Sequence, residues 1–588
     1  MEKINFSEQQ KAVFNHIFTK NTNLVIEANA GTGKTFTIVQ GCVQFMEKFG
    51  NRWGDILFLA FNKSISTEIK EKPIAYQTDA DDNYIYDENG MKIPTNWVCK
   101  IADVGTMHSF GLRCLNKAMK AIGHPEIVFN RDNKNIDNDK YLKIAKRICD
   151  SLFPTISKSD RNGIANDAVH LFNLARINLL KAGDMVALQK LIDHHDMAIG
   201  DDAVMVVDTL MKKYAYTLDI TSSNPVIDFT DMLILPLMYH TQGQRLLQAG
   251  KINYKDPRAN IIPWYKLVFT DECQDLSRAQ RELMKAASRR GRFVAVGDPH
   301  QAINGFAGAN NDSFELITKI PHTEVLPLSV NYRCGKNIIK LAQGLVPEIQ
   351  AHPNAIDGIV RHTKEVNINT FQEGHYEEVV DEETGEITKR YVEGDMILSR
   401  CSAPLIGLCI KLIAKGKPAY VMGKDIMAAI EALVKRSDAK TIKGFKTWVA
   451  EEREKIIRDI CKEKDMTPAE AQQTPTYIAF KDKVDCILAF EHREHNLDFI
   501  IKDLKNIFDD KRKDDMITLC TCHKSKGLEN QRVFILAPER LPLIWKGQLD
   551  WQYEQEENLK YVAITRAKEE LVFVDIEQDA LMNITFES

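Results

Sequence analysis

The stretch "EANAGTGKTFTI", residues 27–38, constrains the fold of this chain more than any other. It lies between an apolar run, "NLVIEA" at 23–28, and a predicted helix. A glycine-rich turn in this context brings backbone N–H groups together, and the N-terminus of a helix favours anions. The pattern predicts a phosphate-binding loop in which Lys34 reaches the β- and γ-phosphates and Thr35 holds Mg²⁺.

The loop departs from the strict GxxxxGK[ST] pattern at its first position, Ala28, so it needs a second motif beside it. "VFTDECQD" at 268–275 supplies one, because apolar or small residues lead there to paired carboxylates. Asp271 can bind Mg²⁺, and Glu272 can accept a proton from the attacking water. Alone, this stretch is also compatible with a strand followed by an acidic cap. Taken together with the phosphate loop, it predicts a nucleotide-hydrolysing site.

Short apolar runs alternating with helical segments predict parallel sheets that are buried on both faces. The runs lie at 23–28, 55–61, 265–272 and 292–298, and again at 394–400, 516–521, 532–538 and 571–576. They form two groups, and 588 residues exceed the ~250–300 that a single core accommodates. We therefore predict two α/β domains.

Each predicted α/β domain is interrupted by a mainly helical insertion. The predicted segments are 1–111, 226–322, 323–425 and 511–588 for the α/β domains, and 112–225 and 426–510 for the insertions. Two antiparallel hairpins are also predicted, at 84–93 and 377–392, because each stretch turns at a residue pair that ends in glycine.

The composition is that of an ordinary water-soluble protein, with 44% hydrophobic and 27% charged residues. No run approaches the ~20 apolar residues of a membrane helix, and the N-terminus lacks the apolar centre of a signal peptide. The 12 cysteines include no CxxC pair, so we predict reduced thiols and a cytoplasmic protein, or a nuclear one in a eukaryote. A net charge of −5 argues weakly against a surface that is basic throughout and binds nucleic acid, but it is compatible with a local basic groove.

Seven motifs in order carry a family resemblance: "EANAGTGKT", "TMHSFG", "FTDECQD", "VGDPHQAINGFAGA", "NYRC", "TCHKSKGLE" and "YVAITRAK". In this set and order the chain resembles the UvrD/Rep/PcrA-type superfamily 1 DNA helicases. "LAFNKS" and "TMHSFG" are most similar to the F-box DNA helicase branch and its short microbial or viral relatives. The resemblance implies an α/β fold with two RecA-like P-loop domains that use ATP and Mg²⁺.

The resemblance also assigns residues to the nucleotide. Gln301 resembles the glutamine that senses the γ-phosphate. Arg333 and Arg566, which lie in the second group of strands, resemble arginine fingers that neutralise phosphate charge. Gln10 resembles the glutamine that reads adenine, although Gln9 fits the downstream spacing. The full ATP-binding set is Gln10, Ala30, Gly31, Thr32, Gly33, Lys34, Thr35, Phe36, Tyr332, Gly527 and Glu529.

A second set of residues resembles the contacts that the family makes with DNA. The set is Phe61, Asn62, Thr106, His108, Phe306, Thr521 and His523. Stacking and backbone contacts suit single-strand binding without sequence preference. The chain reads "FNK" where the family often has "FTNK", a departure that bears on the placement of Phe61 and Asn62 against DNA. Asn304 and Ala307 replace a usual tyrosine and arginine, so this motif offers fewer side chains for contact with DNA.

The function implied is an ATP-driven translocase that moves 3′ to 5′ on single-stranded DNA and unwinds tailed duplex DNA. The pathway stays open among DNA replication, DNA recombination, DNA repair and defence. Protein partners are expected on the helical insertions, and no membrane association is expected. Two alternatives stay open at this point. One is a DNA-dependent ATPase that strips proteins or senses DNA ends without processive unwinding. The other is a nucleotide-switch subunit of a larger assembly.

Overall fold

The computed structural model describes residues 6–49, 54–61, 63–71, 73–76, 94–127, 135–195, 197, 199–214, 226–305, 312–364, 368–380, 387–490 and 496–575. The chain divides into two compact units. The first comprises Met1–Ala28 and Gly33–Leu328, and the second comprises Asn29–Thr32 and Ser329–Ser588.

The first unit is built on a six-stranded parallel sheet. In chain order the strands of this unit are β1 (Asn23–Ala28), β2 (Ile56–Ala60), β3 (Pro73–Tyr76), β4 (Pro94–Trp97), β5 (Asp103–Thr106), β6 (Leu267–Thr270), β7 (Arg292–Gly297) and β8 (Thr323–Leu328). The order across the sheet is β5-β2-β6-β7-β1-β8, while β3 and β4 pair separately as an antiparallel ladder. Every residue of β2 and β6 is buried, as expected for central strands covered on both faces.

Helices cover both faces of this sheet and also form a subdomain of their own. The helices are α1 (Glu8–Thr19), α2 (Lys34–Phe49), α3 (Lys63–Glu71), α4 (Val98–Ile101), α5 (Met107–Ala121), α6 (Lys140–Leu152), α7 (Lys158–Ile177), α8 (Met185–His194), α9 (Asp201–Lys213), α10 (Asp231–Gln248), α11 (Arg278–Ser288) and α12 (Ser313–Thr318). Helices α6 to α9 share a separate apolar core that includes Tyr141, Phe172 and Leu210. They lie within the predicted insertion 112–225.

Helix α10 makes two close backbone contacts, one with α5 and one with the segment before β6. A Cβ atom on Gly111 of α5 would lie 2.0 Å from the carbonyl oxygen of Met232 in α10. A Cβ atom on Gly243 of α10 would lie 1.8 Å from the carbonyl oxygen of Arg258. Glycine is needed at both positions because no other residue fits at these distances.

The second unit contains a seven-stranded parallel sheet. In chain order the strands of this unit are β9 (Val330–Asn331), β10 (Gln350–Ala351), β11 (Ile359–Thr363), β12 (His375–Val380), β13 (Ile387–Val392), β14 (Met396–Ser399), β15 (Ala419–Met422), β16 (Phe508–Asp509), β17 (Ile517–Thr521), β18 (Asn530–Leu536) and β19 (Ala567–Val574), of which β9 and β10 pair separately. The order is β11-β19-β18-β14-β17-β15-β16. Strands β12 and β13 form the antiparallel hairpin predicted at 377–392.

The helices of the second unit pack on this sheet and extend it. They are α13 (Lys336–Ala342), α14 (Ala403–Ala414), α15 (Lys424–Ser437), α16 (Ile442–Lys464), α17 (Pro468–Ala471), α18 (Pro475–Leu488), α19 (Leu497–Ile507) and α20 (Asp550–Ile564). One large core joins α14, α15, α18 and α19 to the central strands, for example through Ile397, Leu519 and Ile487.

The predicted α/β class with parallel sheets is confirmed, and a strand of the structure overlaps each of the eight predicted apolar runs. The hairpin predicted at 84–93 falls outside the described residues. The exact domain boundaries stay a prediction. Across the described part of the chain, no helix combines the length and the apolar character needed to cross a membrane.

Candidate nucleotide-hydrolysis and strand-binding site

The predicted phosphate loop follows β1 directly. Strand β1 ends at Ala28, and α2 begins at Lys34. Gly31 and Gly33 have φ angles of +66° and +78°, in the left-handed region that glycine occupies at no steric cost. Between them, the Thr32 hydroxyl donates to the carbonyl oxygen of Asn29 at 2.8 Å. The segment thus has the tight turn before a helix N-terminus that phosphate binding requires.

Lys34 presents an ammonium group that suits an anionic ligand. Its Nζ is buried and makes no hydrogen bond within the described part of the chain. The nearest carboxylate oxygen, Oδ2 of Asp298, is 3.8 Å away, which is an ion-pair distance but too long for a hydrogen bond. A buried ammonium without a hydrogen-bond partner is costly. The phosphates of a nucleotide would supply the missing acceptors, so the residues present fit that group.

Asp271 lies at the end of β6 and meets the loop through Thr35. The Thr35 hydroxyl donates to Oδ2 of Asp271 at 3.0 Å. Burial, and then the negative charge of Glu272, raise the pKa of Asp271 to about 7, although Lys34 acts in the opposite direction. A divalent cation would favour the charged form of this carboxylate. Thr35 and Asp271 therefore form a pair of oxygen ligands that could hold Mg²⁺.

Glu272 has an unusual backbone conformation for a residue with a side chain. Its φ of +51° and ψ of +46° place it in the left-handed region. Its carboxylate accepts a hydrogen bond from the side-chain amide of Gln274, whose own oxygen accepts the N–H of Asp298 at 3.1 Å. Strained residues held by such contacts concentrate at functional sites. The geometry is consistent with the predicted general base.

Asp298 connects Lys34 to Gln301, and sequence analysis did not assign it a role. The Gln301 amide donates to Oδ2 of Asp298 at 2.7 Å, the same oxygen that faces Lys34. Burial raises the pKa of Asp298, and the charge of Lys34 counteracts this. The signal was present, because Asp298 follows the apolar strand β7 just as Asp271 follows β6.

Gln10 lies beside the loop, but its side-chain amide is already engaged. Its oxygen accepts the N–H of Ser7 at 3.0 Å, and its nitrogen donates to the Thr37 hydroxyl at 3.2 Å. With Ser7 it forms the capping box that starts α1. Phe36, in the first turn of α2, has its ring centre 6.2 Å from that of Phe6. The role of Gln10 in reading adenine stays a prediction.

In the second unit, the two predicted arginine fingers belong to one charged cluster. Arg333 pairs with Glu529 at 2.5 Å and donates to the carbonyl oxygen of Thr565 at 3.2 Å. Arg566 is 1% exposed and donates to the carbonyl oxygen of Leu528. Burial, and then the positive charge of Arg333, lower the pKa of Arg566 to about 10, so it stays charged at neutral pH.

Two further predicted ATP contacts lie in the same unit. Tyr332 is 46% exposed, and its ring lies 4.9 Å from that of His352. An exposed ring next to Arg333 is available for stacking on a base. Gly527 has a φ of +86°, which marks a turn where a side chain would be strained.

The predicted DNA residues of the first unit gather at the carboxyl edge of its sheet. Thr106 ends β5 and is paired in register with Ala60, which ends β2 and precedes Phe61. The Thr106 hydroxyl accepts the N–H of Ser109 and so caps α5. Phe61 is half-buried and packs against the core. Asn62 and Phe306 lie outside the described residues.

His108 has an aromatic neighbour that sequence analysis missed. The ring of Phe229 lies 6.0 Å from that of His108, edge to face, and Phe229 is 43% exposed. Burial lowers the pKa of His108, although the charge of Asp228 acts against this. The imidazole is therefore neutral at physiological pH and can accept or donate a hydrogen bond. No pattern in the sequence marks Phe229 as exposed.

The DNA residues predicted in the second unit follow β17. Thr521 ends this strand, and its hydroxyl accepts the N–H of Lys524 at 3.4 Å. Burial, followed by the charges of Arg400 and Lys524, lowers the pKa of His523 to about 3. The neighbouring Cys520 and Cys522 are free, buried thiols. Among the described residues, no group of three or more histidines, cysteines or carboxylates is placed to hold a metal ion.

A parallel sheet, a phosphate loop after β1 and an acidic pair after β6 define the class. These features are those of the P-loop nucleoside triphosphatases, and the candidate site lies at the carboxyl ends of the strands, where open α/β sheets bind ligands.

Comparison with known proteins gives the family. Residues 6–321 match the UvrD/REP helicase N-terminal domain, and residues 411–578 match the UvrD-like helicase C-terminal domain. The chain belongs to the UvrD/Rep helicase family. The resemblance inferred from the motifs and the predicted ATP-dependent DNA helicase class are therefore confirmed.

Similar proteins include a probable DNA helicase II homolog of Mycoplasma pneumoniae, 25% identical over 95% of this chain and 82% of that protein. The F-box DNA helicase protein 1 of Schizosaccharomyces pombe is 24% identical over 97% of this chain and 57% of that protein. The ATP-dependent DNA helicase Rep of Buchnera aphidicola from Schizaphis graminum is 25% identical over 58% of this chain and 44% of that protein. The chain therefore spans only about half the length of the last two relatives.

Proposed function

We propose that this protein is an ATP-driven translocase that moves 3′ to 5′ on single-stranded DNA and unwinds tailed duplex DNA. The observation that carries the proposal is the buried, hydrogen-bond-deficient ammonium of Lys34 beside the Thr35–Asp271 pair. The names of the similar proteins, which are DNA helicases, support the DNA substrate. Its place of action follows the DNA: the cytoplasm of a bacterium or phage-infected cell, or the nucleus of a eukaryote.

The nucleotide residues have separate tasks in this proposal. Lys34 binds the β- and γ-phosphates. Thr35 and Asp271 hold Mg²⁺, which neutralises phosphate charge during transfer. Glu272 orients and deprotonates the attacking water, and its fixed backbone keeps the carboxylate in place.

The two predicted arginine fingers have a separate task. The guanidinium groups of Arg333 and Arg566 neutralise charge that builds up on the transferred phosphate. Glu529 holds the Arg333 guanidinium in a defined orientation through their ion pair. Gln301 reports the presence of the γ-phosphate through its hydrogen bond to Asp298.

The DNA strand is bound at the same sheet edge as the nucleotide. Phe61, Thr106 and His108 follow β2 and β5, and Phe229 adds an exposed ring beside His108. Aromatic faces accept any base, and each stack contributes ~1–3 kcal/mol. The neutral His108 and the Thr106 hydroxyl suit uncharged contacts to the strand.

The test combines ATPase and strand-displacement assays on one preparation. Turnover should rise with single-stranded DNA, and a duplex with a 3′ tail should open whereas one with only a 5′ tail should not. Glu272→Gln should retain ATP binding and lose turnover. Lys190→Gln, on exposed helix α8, is the control and should behave as wild type.

Three outcomes would contradict parts of this proposal. Normal turnover in Glu272→Gln would remove the assigned base. Preference for the 5′ tail would reverse the polarity. Stimulated turnover without displacement of either duplex would support a DNA-dependent ATPase that does not unwind.

A further inference from the structure

A pocket of about 280 Å³ lies in the first unit among the end of α10, the segment before β6 and the end of α11. Its lining includes Gln244, Tyr254, Asn260, Trp264, Arg289 and Arg290. Trp264 precedes β6, and the two arginines precede β7, so the pocket lies where these strands begin. The nucleotide and strand-binding residues follow the other ends of the strands.

Positive charge converges on one point of this pocket. The ammonium of Lys117 donates to the carbonyl oxygen of Asn260 at 2.6 Å, and the guanidinium of Arg289 donates to the side-chain oxygen of the same residue. Burial, and then the charge of Arg290, lower the pKa of Arg289. Burial, together with the charge of Arg289, lowers the pKa of Lys117. The cations thus repel one another at close range.

No carboxylate relieves this repulsion in the described lining of the pocket. The nearby Asp256 is engaged with Arg258 at 2.6 Å. The chain as a whole carries a net charge of −5, so the basic pocket is a local feature. A bound anion would therefore gain the attraction of three cations that lack an acidic partner there.

Two exposed aromatic rings stand beside the cations. Tyr254 is 76% exposed and Trp264 is 38% exposed. The guanidinium of Arg290 lies 5.9 Å from the Trp264 ring centre, in a cation–π arrangement. Tryptophan, tyrosine and arginine are the residue types that dominate the energetics of protein–protein interfaces, especially where they line a pocket.

We propose that this pocket is a docking site for an acidic peptide segment of a partner protein, in which a glutamate or aspartate stands next to an aromatic or large apolar side chain. The carboxylate lies at Arg289, where the charges of Lys117 and Arg290 also act, and the apolar side chain packs on Trp264 and Tyr254. The proposal goes beyond helicase activity and does not depend on it.

A peptide fits this geometry better than a nucleic acid strand. Binding of single strands uses cations spaced along a groove that follows the phosphates. Here Lys117 and Arg289 both bind Asn260, so their charges converge on one position. A single carboxylate matches such a centre, and the side-chain amides of Gln244 and Asn260 add polar contacts to a peptide backbone.

Fluorescence polarisation with the full chain tests the proposal. The probe is a dye-labelled peptide in which two glutamates flank a phenylalanine within glycines and serines, and its matched twin carries glutamines. The acidic peptide should bind at least ~10-fold more tightly than the twin, equivalent to about 1.4 kcal/mol. Arg290→Glu and Trp264→Ala should each weaken this binding ~10-fold or more, while basal ATPase stays unchanged.

Lys190→Glu is the matched control, since it makes the same charge change on exposed helix α8. It should leave peptide affinity within twofold of wild type. Equal affinity for the acidic peptide and its twin would overturn the proposal, as would equal losses in Arg290→Glu and Lys190→Glu. The proposal would also be overturned, in favour of a second nucleic-acid site, if a dye-labelled oligothymidylate displaced the peptide and its binding were weakened mainly by Arg290→Glu. None of these outcomes changes the ATPase result, so failure here is separate from failure of the proposed function.

Discussion

Replacing Arg176 with methionine should destabilise the first unit strongly. Arg176 on α7 has 0% exposure and donates to carboxylate oxygens of Asp228 and Asp231, the latter at 3.0 Å. Asp231 also accepts from the hydroxyl of Tyr141 at 3.0 Å and from Lys140 at 3.1 Å. The change keeps most of the side-chain volume and removes the charge, so it leaves two buried carboxylates without their main counterion.

The expected loss is ~3–5 kcal/mol, because breaking one partner of a buried ion pair leaves the other charge uncompensated. For a unit of more than 300 residues, a melting temperature falls by roughly 1.5 °C per kcal/mol, which gives about 4–8 °C. The measurement is a thermal melt of the wild type, Arg176→Met and Arg147→Met. Arg147 is exposed on α6, so its variant should stay within about 2 °C of wild type.

The loss should depend on pH in one direction. Burial, and then the charge of Asp228, already raise the pKa of Asp231 in the wild type. A carboxyl whose pKa is higher in the folded protein than in the unfolded chain gains protons on folding, so its folded state is favoured at low pH and loses that advantage as pH rises. Without Arg176 this pKa rises further, so the deficit of Arg176→Met should shrink as the pH is lowered. A deficit equal to that of Arg147→Met, or one that grows on acidification, would refute the reasoning.

Three further changes test other parts of the structure. Lys34→Ala should abolish ATP binding in an equilibrium titration, because it removes the ammonium that meets the phosphates; unchanged affinity would contradict the assignment. Phe229→Ala should weaken single-strand binding by one stack, ~1–3 kcal/mol or about 5–150-fold, and leave basal ATPase intact; a parallel fall in melting temperature would instead indicate a packing role. Gly243→Ala should lower the melting temperature because its Cβ would meet a carbonyl oxygen at 1.8 Å, whereas Gly163→Ala on α7, with nothing within 4 Å, should not.

Features carried by local patterns could be predicted from the sequence. The phosphate loop and the Asp271–Glu272 pair each combine an apolar strand with a short polar motif, and the structure places both at one sheet edge. The capping box of Ser7 and Gln10 is equally local, since a serine followed three residues later by glutamine is its signature.

Features that depend on long-range packing could not be predicted in the same way. Arg176 meets Asp228 only because α7 packs against the start of α10, and a buried arginine looks like a surface arginine in sequence. Phe229 follows Asp228 directly, and its exposure depends on where His108 is held. The basic pocket joins residues from α5, α10 and α11, which no single motif contains. Periodicity specifies elements, whereas these sites arise from how the elements meet.

Asp298 offers a physical route by which nucleotide could influence the strand-binding edge. It is 0% exposed, and its Oδ2 faces Lys34 at 3.8 Å while accepting from Gln301 at 2.7 Å. Bound phosphates would attract the Lys34 ammonium and weaken its ion pair with Asp298. The hydrogen bond from Gln301 to Asp298 would then become stronger. In Asp298→Asn the new amide group either points its nitrogen at the Gln301 amide, which removes that hydrogen bond, or points it at Lys34, which removes the ion pair. Either orientation should disturb the connection between Lys34 and Gln301. We expect this variant to bind ATP and to lose stimulation of turnover by single-stranded DNA. Wild-type stimulation in Asp298→Asn would show that Gln301 responds to nucleotide without this carboxylate.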